Sequence, residues 1–331
     1  MKKIEIGTTG MTASQIAMGT WSMGGDVQWG MQDEEISLKA IRTAVEEGIN
    51  LIDTAPAYGF GYSEQLVGKA IKEIPRDQIL VQTKCGFWWK DDEGTLLIER
   101  DGRVCRRNLS RRAIMDGVKD SIKNLDVDYI DILVTHHQAR EPFLTPVSET
   151  FGALEELKKE GTIRAVGISN CNMAEIEDYL SCGTVDVIQE HFNMLEPETA
   201  NEFLPVCEKN QITFQGFSIL KQGLLTGKYG MDYQLSAENV RNRSHWFQLE
   251  NRKKVLEMLD GWKPLCEKYD CSFANLAVAW SAKKSPRMII LGGGRKEQHV
   301  RDYLKGGTLA LEEQDYKKMN QDIVRILGVQ E

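Results

Sequence analysis

The chain contains no apolar run near the roughly 20 residues that a membrane-crossing helix requires, and none of its seven cysteines forms a C-x-x-C pair. An odd cysteine count without that spacing points away from a disulfide framework and from a zinc clip, and leaves reduced thiols in a cytoplasmic protein as the expectation. No apolar segment of the signal-peptide kind stands behind Lys2 and Lys3. A G-x-G-x-x-G fingerprint is absent after the first apolar runs. GLLTGK at 223–228 is one residue short of a phosphate-binding loop and is followed by Tyr229, not Ser or Thr. Basic excess is lacking too: 41 Lys and Arg against 49 Asp and Glu give a net charge of −8, so nucleic acid is not an expected partner, and with no spanning segment neither is a membrane. His136 and His137 are adjacent, which in a strand points them to opposite faces, so no metal pair is expected. Cys85, directly after Lys84, is expected to pack behind a strand end.

What the chain does have is 41% hydrophobic and 27% charged residues, the balance of a soluble globular protein with a substantial core. From residue 16 onward, short β-branched runs alternate with longer amphipathic stretches. The runs are Ile16–Met18, Ile49–Asp53, Ile79–Lys84, Ile130–Thr135, Ile163–Ile168, Val185–Gln189, Ile212–Phe217 and Met288–Leu291. Between them, Ile114, Val118, Ile122 and Leu125 trace one helical face. Asp33 and Ser110 read as helix N-caps, and Gly161 as a helix stop. Eight strands each followed by a helix imply a parallel sheet buried on both faces that most simply closes into a (β/α)8 TIM barrel; a doubly wound open sheet is the rival. No linker breaks the composition, so residues 1–331 are expected to form one domain. KIEIGTTGMTASQ before the first strand reads as a β-hairpin turning at Thr8–Gly10, suited to plug the barrel floor. Long loops are expected at Gly86–Asn108 after strand three and at Ser218–Glu250 after strand seven. Both follow strand C-terminal ends, which favours lids over a catalytic mouth.

Four chemically distinct residues stand at successive strand ends. Asp53 closes INLID, Tyr58 lies in the loop beyond it, Lys84 closes ILVQTK and His136 follows IDILVT. In a closed parallel barrel all four converge at one mouth. Taken singly, each is more often a cap or a turn residue; their joint placement points to proton transfer. A tyrosine is a reluctant acid at neutral pH, and a neighbouring ammonium favours its phenolate. Lys84 supplies that charge, Asp53 holds Lys84, and His136 orients a carbonyl or relays a proton. The set has no nucleophile and no metal cluster. It suits protonation of a carbonyl whose carbon receives a hydride from a cofactor.

GINLIDTAPAYGFGYSEQLVGKAI, DYIDILVTHH and GTIRAVGISN together resemble the aldo-keto reductase family over nearly the whole chain, and GLLTGKY resembles a loop common among bacterial members. That resemblance implies a (β/α)8 barrel holding NADP(H), with NAD(H) as the other option, across its mouth without a Rossmann domain. It makes Tyr58 the general acid/base, Lys84 and Asp53 its tuners and His136 the substrate orienter. Ser169, Asn170 and Gln189 would hold the nicotinamide carboxamide. Phe217 would stack where a tyrosine is common, and Ser218, Leu220, Gly223 and Leu225 would meet the pyrophosphate. Gly19, Thr20, Trp21 and Asp53 are expected against the cofactor as well. LGGGRKEQHV at 291–300 supplies the second anchor: Gly293 lets an anion approach a helix N-terminus, and Arg295 and Lys296 are placed for a 2′-phosphate. Gly292–Gly293 stands where Pro–Gly is common. The usual adenine-reading Asn is absent near Asp302–Tyr303, which leaves Gln298 or His299. The substrate pocket is expected from Trp21, Trp29, Tyr58, Trp88, Trp89, His136 and His137, the last standing where Trp is frequent. Arg100, Arg103, Arg106 and Arg107 give a basic lid, but acidic neighbours (Asp91, Asp92, Glu93, Glu99) balance it, so a neutral aldehyde, ketone or sugar-like polyol is expected. The alternative is a cofactor-holding regulatory or sensor module like the potassium-channel β subunits of the same family.

Overall fold

The apolar runs form strands because they are apolar on both faces: every residue of IDILVT and of LVQTKC is buried, as strands of a covered parallel sheet must be. In this computed structural model, which describes residues 1–25, 30, 33–100, 102–236 and 239–328, a hairpin of β1 (Lys3–Glu5) and β2 (Thr12–Ser14) precedes the barrel strands β3 (Ile16–Gly19), β4 (Leu51–Asp53) and β5 (Leu80–Cys85). Three short strands come next, β6 (Phe87–Trp88), β7 (Thr95–Arg100) and β8 (Arg103–Arg107). The barrel resumes with β9 (Ile130–Thr135), β10 (Ile163–Ser169), β11 (Val187–His191), β12 (Thr213–Phe217) and β13 (Met288–Gly293). Its closed order is β10-β11-β12-β13-β3-β4-β5-β9, with every pairing parallel. All eight expected strands are present, Ile130–Thr135 with the expected bounds and the others shifted by at most two residues at either end. The helices are α1 (Glu34–Glu46), α2 (Tyr62–Ile71), α3 (Arg111–Leu125), α4 (Val147–Lys159), α5 (Met173–Cys182), α6 (Glu198–Lys209), α7 (Leu249–Gly261), α8 (Lys263–Lys268), α9 (Phe273–Lys283), α10 (Glu297–Thr308) and α11 (Glu313–Leu327). Asp33 caps α1 through Glu35 N, Ser110 caps α3 through Ala113 N, and Gly161 just past α4 takes a left-handed φ of 77°.

Strand alternation sorts the core into two shells. Ile16, Met18, Ile52, Val81, Leu133, Val166, Ile188, Phe214 and Ile290 face the helices. Ala17, Leu51, Leu80, Ile132, Val187 and Ile289 face inward and meet Ile4, Ile6, Met11 and Ala13 of the hairpin, which plugs the floor as expected. The hairpin is tied down by Asn50, whose Oδ1 accepts from Ser14 N at 2.6 Å and whose Nδ2 donates to Thr12 O at 2.9 Å. Gly7 allows its turn to touch the barrel: a Cβ there would lie 2.7 Å from an Asp186 carboxylate oxygen, and its φ is 53°. Above the apolar layer the same inward series reads Asp53, Gln82 and Lys84, Gln189 and Gln215, so the barrel interior changes from oil to polar groups one step up. The expected loop after strand three is instead a three-stranded antiparallel sheet, in the order β6-β8-β7. The segment after β12 does run as irregular chain, with a 3-10 turn at Lys221–Thr226.

Because Ile6 is fully buried in the plug, Ile6→Ala should lower unfolding stability by about 2–5 kcal/mol. The measurement is the urea midpoint at unchanged m-value; a midpoint within experimental error of the parent's would show that the hairpin is not part of the cooperative core.

Candidate active site

The inward residues at the strand C-terminal ends open into a cavity of about 750 Å³. At its base the Lys84 ammonium donates to Asp53 Oδ1 at 2.7 Å, to the Thr54 carbonyl at 2.9 Å and to the Tyr58 hydroxyl at 3.2 Å. His136, the first residue past β9, sets its ring edge-on to Tyr58 at 5.8 Å. The four groups expected to converge therefore do so. Backbone contact fixes the Tyr58 loop: a Cβ on Gly59 would lie 2.0 Å from the Gly24 carbonyl oxygen, so the two loops touch there without side chains. Asp53 Oδ1 also accepts from Gln82 Nε2 at 2.7 Å and Gln189 Nε2 at 3.0 Å, and both of those amides donate to Gln215 Oε1. Gln82 and Gln215 did not figure in the sequence expectations. Their signal was there: Gln82 lies two residues before Lys84 and so on the same inward face.

Burial sets the electrostatics. It raises the Tyr58 pKa above the ordinary phenol value; Lys84 pulls the other way and does not prevail, contrary to the expected net lowering. Burial disfavours charge on Lys84 too, but Asp53 and Tyr58 outweigh it and hold the ammonium protonated. His136 is driven well below its usual pKa by burial, then by Lys84 and His137, and its Nδ1 is buried without a partner among the described residues. His137 is pushed down to about 4 by burial, then Arg107 and Arg140. Burial likewise pushes the Cys85 thiol up to about 12, in keeping with packing behind the strand. The two histidines do not point to opposite faces. They stack 5.3 Å apart, nearly parallel, because both lie past the last residue of β9, where strand alternation no longer applies.

Along one wall Gly19, Ser169, Asn170, Gln189 and Phe217 line the cavity, followed by Ser218, Leu220 and Gly223, and at the far end by Gly293, Arg295 and His299. This donor set fits a dinucleotide. Gln189 spends both amide hydrogens on Asp53 and Gln215, leaving its carbonyl oxygen for an amide N–H. A Cβ on Gly293 would meet nothing within 4 Å, so its backbone is open to a ligand. Lys296 makes no side-chain cap on α10, which leaves that helix N-terminus open to an anion, although the His299 N–H is already given to the Lys296 carbonyl. Three expected contacts are not at the cavity. Thr20 is buried beneath it, donating to the Asp53 carbonyl at 2.9 Å. Leu225 is in the core, and Lys296 is exposed at the α10 N-cap. Of the two adenine candidates, His299 lines the cavity, whereas Gln298 turns to Asp302.

On the opposite wall are Trp21, Tyr58, His136 and His137, with Phe87, Leu97 and Ile98 from the inserted sheet. Trp88 is a correction. It is buried behind that sheet, its indole donating to Asp91 at 2.6 Å, and its neighbour Phe87 faces the cavity in its place because successive strand residues alternate. Trp89 packs on Phe60 at 5.2 Å, and Trp29 lies outside the described residues. Lys228, Tyr229, Arg241 and Asp302 also reach the cavity; the first two come with the GLLTGKY loop and Asp302 from just past the second anchor segment, whereas nothing in the local sequence of Arg241 marked it.

A closed parallel barrel with a buried Asp–Lys–Tyr–His cluster at its C-terminal mouth is the architecture of a barrel oxidoreductase, and comparison gives the family. The chain belongs to the aldo/keto reductase family, whose model matches residues 15–323. It is 43% identical over 322 residues to the NADH-specific methylglyoxal reductase of Escherichia coli, covering 97% of this chain and 98% of that one. Identity to the aldo-keto reductase YhdN of Bacillus subtilis is 36%, with 97% and 93% covered. Among solved structures, a glycerol dehydrogenase from Gluconobacter oxydans superposes with a TM-score of 0.88 at 32% identity, covering 98% of this chain and 95% of that one.

Neutral burial of His136 and His137 couples folding to pH. Their folded pKa values lie below the unfolded value near 6.5, so below about pH 6.5 the unfolded chain binds protons that the folded chain does not. Their contribution is complete above that pH and falls as pH drops, by at most about 1.4 kcal/mol per pH unit per histidine. Urea midpoints between pH 7 and pH 5 should fall less steeply for His137→Asn than for the parent; parallel slopes would contradict neutral burial of this ring.

Proposed function

We propose that this protein is a nicotinamide-dependent carbonyl reductase that interconverts an aldehyde or ketone, including that of a sugar or polyol, with its alcohol, using Tyr58 as general acid/base. The observation that carries the proposal is the position of Lys84 Nζ, which bridges Asp53 Oδ1 at 2.7 Å and the Tyr58 hydroxyl at 3.2 Å inside the barrel mouth. Bound reduced nicotinamide supplies a hydride to the carbonyl carbon. Tyr58 stays protonated at neutral pH, because burial raises its pKa, and gives that proton to the carbonyl oxygen. Lys84 stabilises the phenolate left behind, and Asp53 holds Lys84 in place. His136, neutral, aims the carbonyl oxygen at Tyr58. Ser169, Asn170 and Gln189 bind the carboxamide, with the Phe217 ring as the stacking face. We read the whole chain as one cytoplasmic catalytic domain acting on a small molecule. Among the described residues no helix is long and apolar enough to cross a membrane.

Arg295 at the cavity's far end favours a 2′-phosphate, and hence NADP(H). The name of the Escherichia coli relative favours NADH. The ratio of kcat/KM with NADPH to that with NADH decides between them.

Turnover is tested by cofactor oxidation over a panel containing methylglyoxal, glyceraldehyde and simple aldehydes, run with both cofactors. Tight cofactor binding with no turnover on any of them would replace the enzyme with the sensor-like module. Tyr58→Phe should lower kcat by about 10²–10⁴-fold while quenching of tryptophan fluorescence by NADPH or NADH stays nearly unchanged. A Tyr58→Phe variant as active as the parent would remove Tyr58 from the chemistry.

A further inference from the structure

The cavity wall proposed to hold the cofactor includes a turn that ordinary residues adopt only under constraint. After β12, four residues in six take left-handed backbone: Ser218 at φ 65°, Lys221 at 45°, Gln222 at 52° and Gly223 at 94°. Only the last is a glycine, and a side chain makes that conformation costly wherever the surroundings do not impose it. Ser218, Leu220, Gln222 and Gly223 line the cavity, whereas Lys221 is outside that lining and buried. The turn's own backbone bonds, Lys221 N to Ser218 O at 2.8 Å and Gly223 N to Leu220 O at 2.9 Å, close it locally without tying it to the barrel.

The tie comes from side chains. Lys221 Nζ donates to both carboxylate oxygens of Glu196, at 2.5 and 2.6 Å, with side chains only 10% and 24% exposed. Glu196 stands between β11 and α6, its N–H given to the Asn193 carbonyl, and Asn193 Nδ2 donates to Glu196 Oε2 at 3.1 Å. His191 Nδ1 lies 3.4 Å from the same oxygen, and the His191 ring meets the Phe217 ring edge-on at 5.7 Å. One carboxylate thus backs both parts of the wall, the turn through Lys221 and the Phe217 face through His191. Burial works against the charge on Glu196, yet Lys221 outweighs it and holds the carboxyl below its usual range. Arg241 Nε also donates to the Gln222 carbonyl at 3.0 Å, but that acceptor is neutral, and the paired charges are the stronger tie.

We propose that Glu196 is a positioning residue for the nicotinamide cofactor: through its ion pair with Lys221 it holds the strained turn against the cavity, and so sets how tightly the cofactor binds and how fast it leaves. The inference rests on the reading above that the cofactor lies along this wall, and adds to it a residue outside the cavity lining. Without the pair, the turn relaxes towards ordinary backbone angles, and Ser218, Leu220 and Gly223 leave the positions from which they meet the cofactor. The chemical step at Tyr58 is untouched, because Glu196 makes no contact with the Asp53–Lys84–Tyr58 cluster.

The test measures the Kd of NADPH and of NADH by quenching of tryptophan fluorescence in the whole chain. The parent is compared with Glu196→Gln, with Lys221→Met, which keeps the stem and removes the charge, and with the double variant. For the cofactor that the parent binds more tightly, each single variant should raise Kd by about tenfold or more, the scale of one charge-assisted hydrogen bond. The double variant should bind no more weakly than the weaker single one, because both substitutions cut the same pair. Stopped-flow displacement should show release faster by a similar factor, while kcat at saturating cofactor does not fall. Lys221→Arg should keep most of the parent's affinity. An unchanged Kd in both single variants overturns the proposal, and so do losses that add in the double variant. A fall in kcat with Kd unchanged overturns it as well, since that marks a structural role. Should Glu196→Gln fail to fold, Lys221→Met and Lys221→Arg decide the matter from the other end of the pair. A parent that binds neither cofactor overturns the inference together with the reading beneath it; tight binding that no variant weakens overturns the inference alone.

Discussion

One carboxylate oxygen, Asp53 Oδ1, accepts from Lys84, Gln82 and Gln189, donors from β5 and β11 converging on the end of β4. A buried carboxylate loses several kcal/mol of hydration, which only close opposite charge and hydrogen bonds offset. The barrel supplies both. Gln215 accepts from the two glutamines and donates back to Gln82, so four strands share one polar layer above the apolar floor. The layer holds Lys84 at fixed distance from Tyr58, and the rigidity of the proposed acid comes from the packing beneath it.

The same burial that makes the network costly tunes its members. The pKa of Tyr58 rises although an ammonium touches it, and His136 and His137 stay neutral. A protonated phenol beside a protonated lysine is poised to give up a proton to a developing alkoxide. On the proposed reading, the direction of chemistry at neutral pH is written into desolvation rather than into any one contact.

On the proposed reading, chemistry and selectivity are carried by different parts of the molecule. The cluster belongs to barrel strands and their immediate ends. The far substrate wall belongs to the sheet of β6, β7 and β8, which hangs from one strand end and delivers Phe87, Leu97 and Ile98 to the cavity. Such an attachment changes which substrate is accepted without disturbing the reaction done on it, the usual division of labour on barrels. The irregular chain after β12 plays the corresponding part for the wall proposed to hold the cofactor, lining the cavity with Leu220, Gly223 and Tyr229.

Asp53, Tyr58, Lys84 and His136 were legible from sequence because a strand end is a local feature: an apolar run stops, and the residues at its end sit at the mouth. The barrel was legible for the same reason, since eight such runs alternate with helical periods. Strand parity misled where the strand had already ended, as at His136 and His137, and where a strand went unrecognised, as at Trp88. Gln82 and Gln215 became meaningful only when closure brought β5, β11 and β12 around one carboxylate. The sequence by itself determined the period of each element and the residues placed at each strand's end, because these depend on neighbours a few positions away. Tertiary structure alone decided which polar groups are buried together and which way each pKa moves. Those depend on distance and desolvation between residues far apart in the chain, down to the 136 positions that separate Asp53 from Gln189.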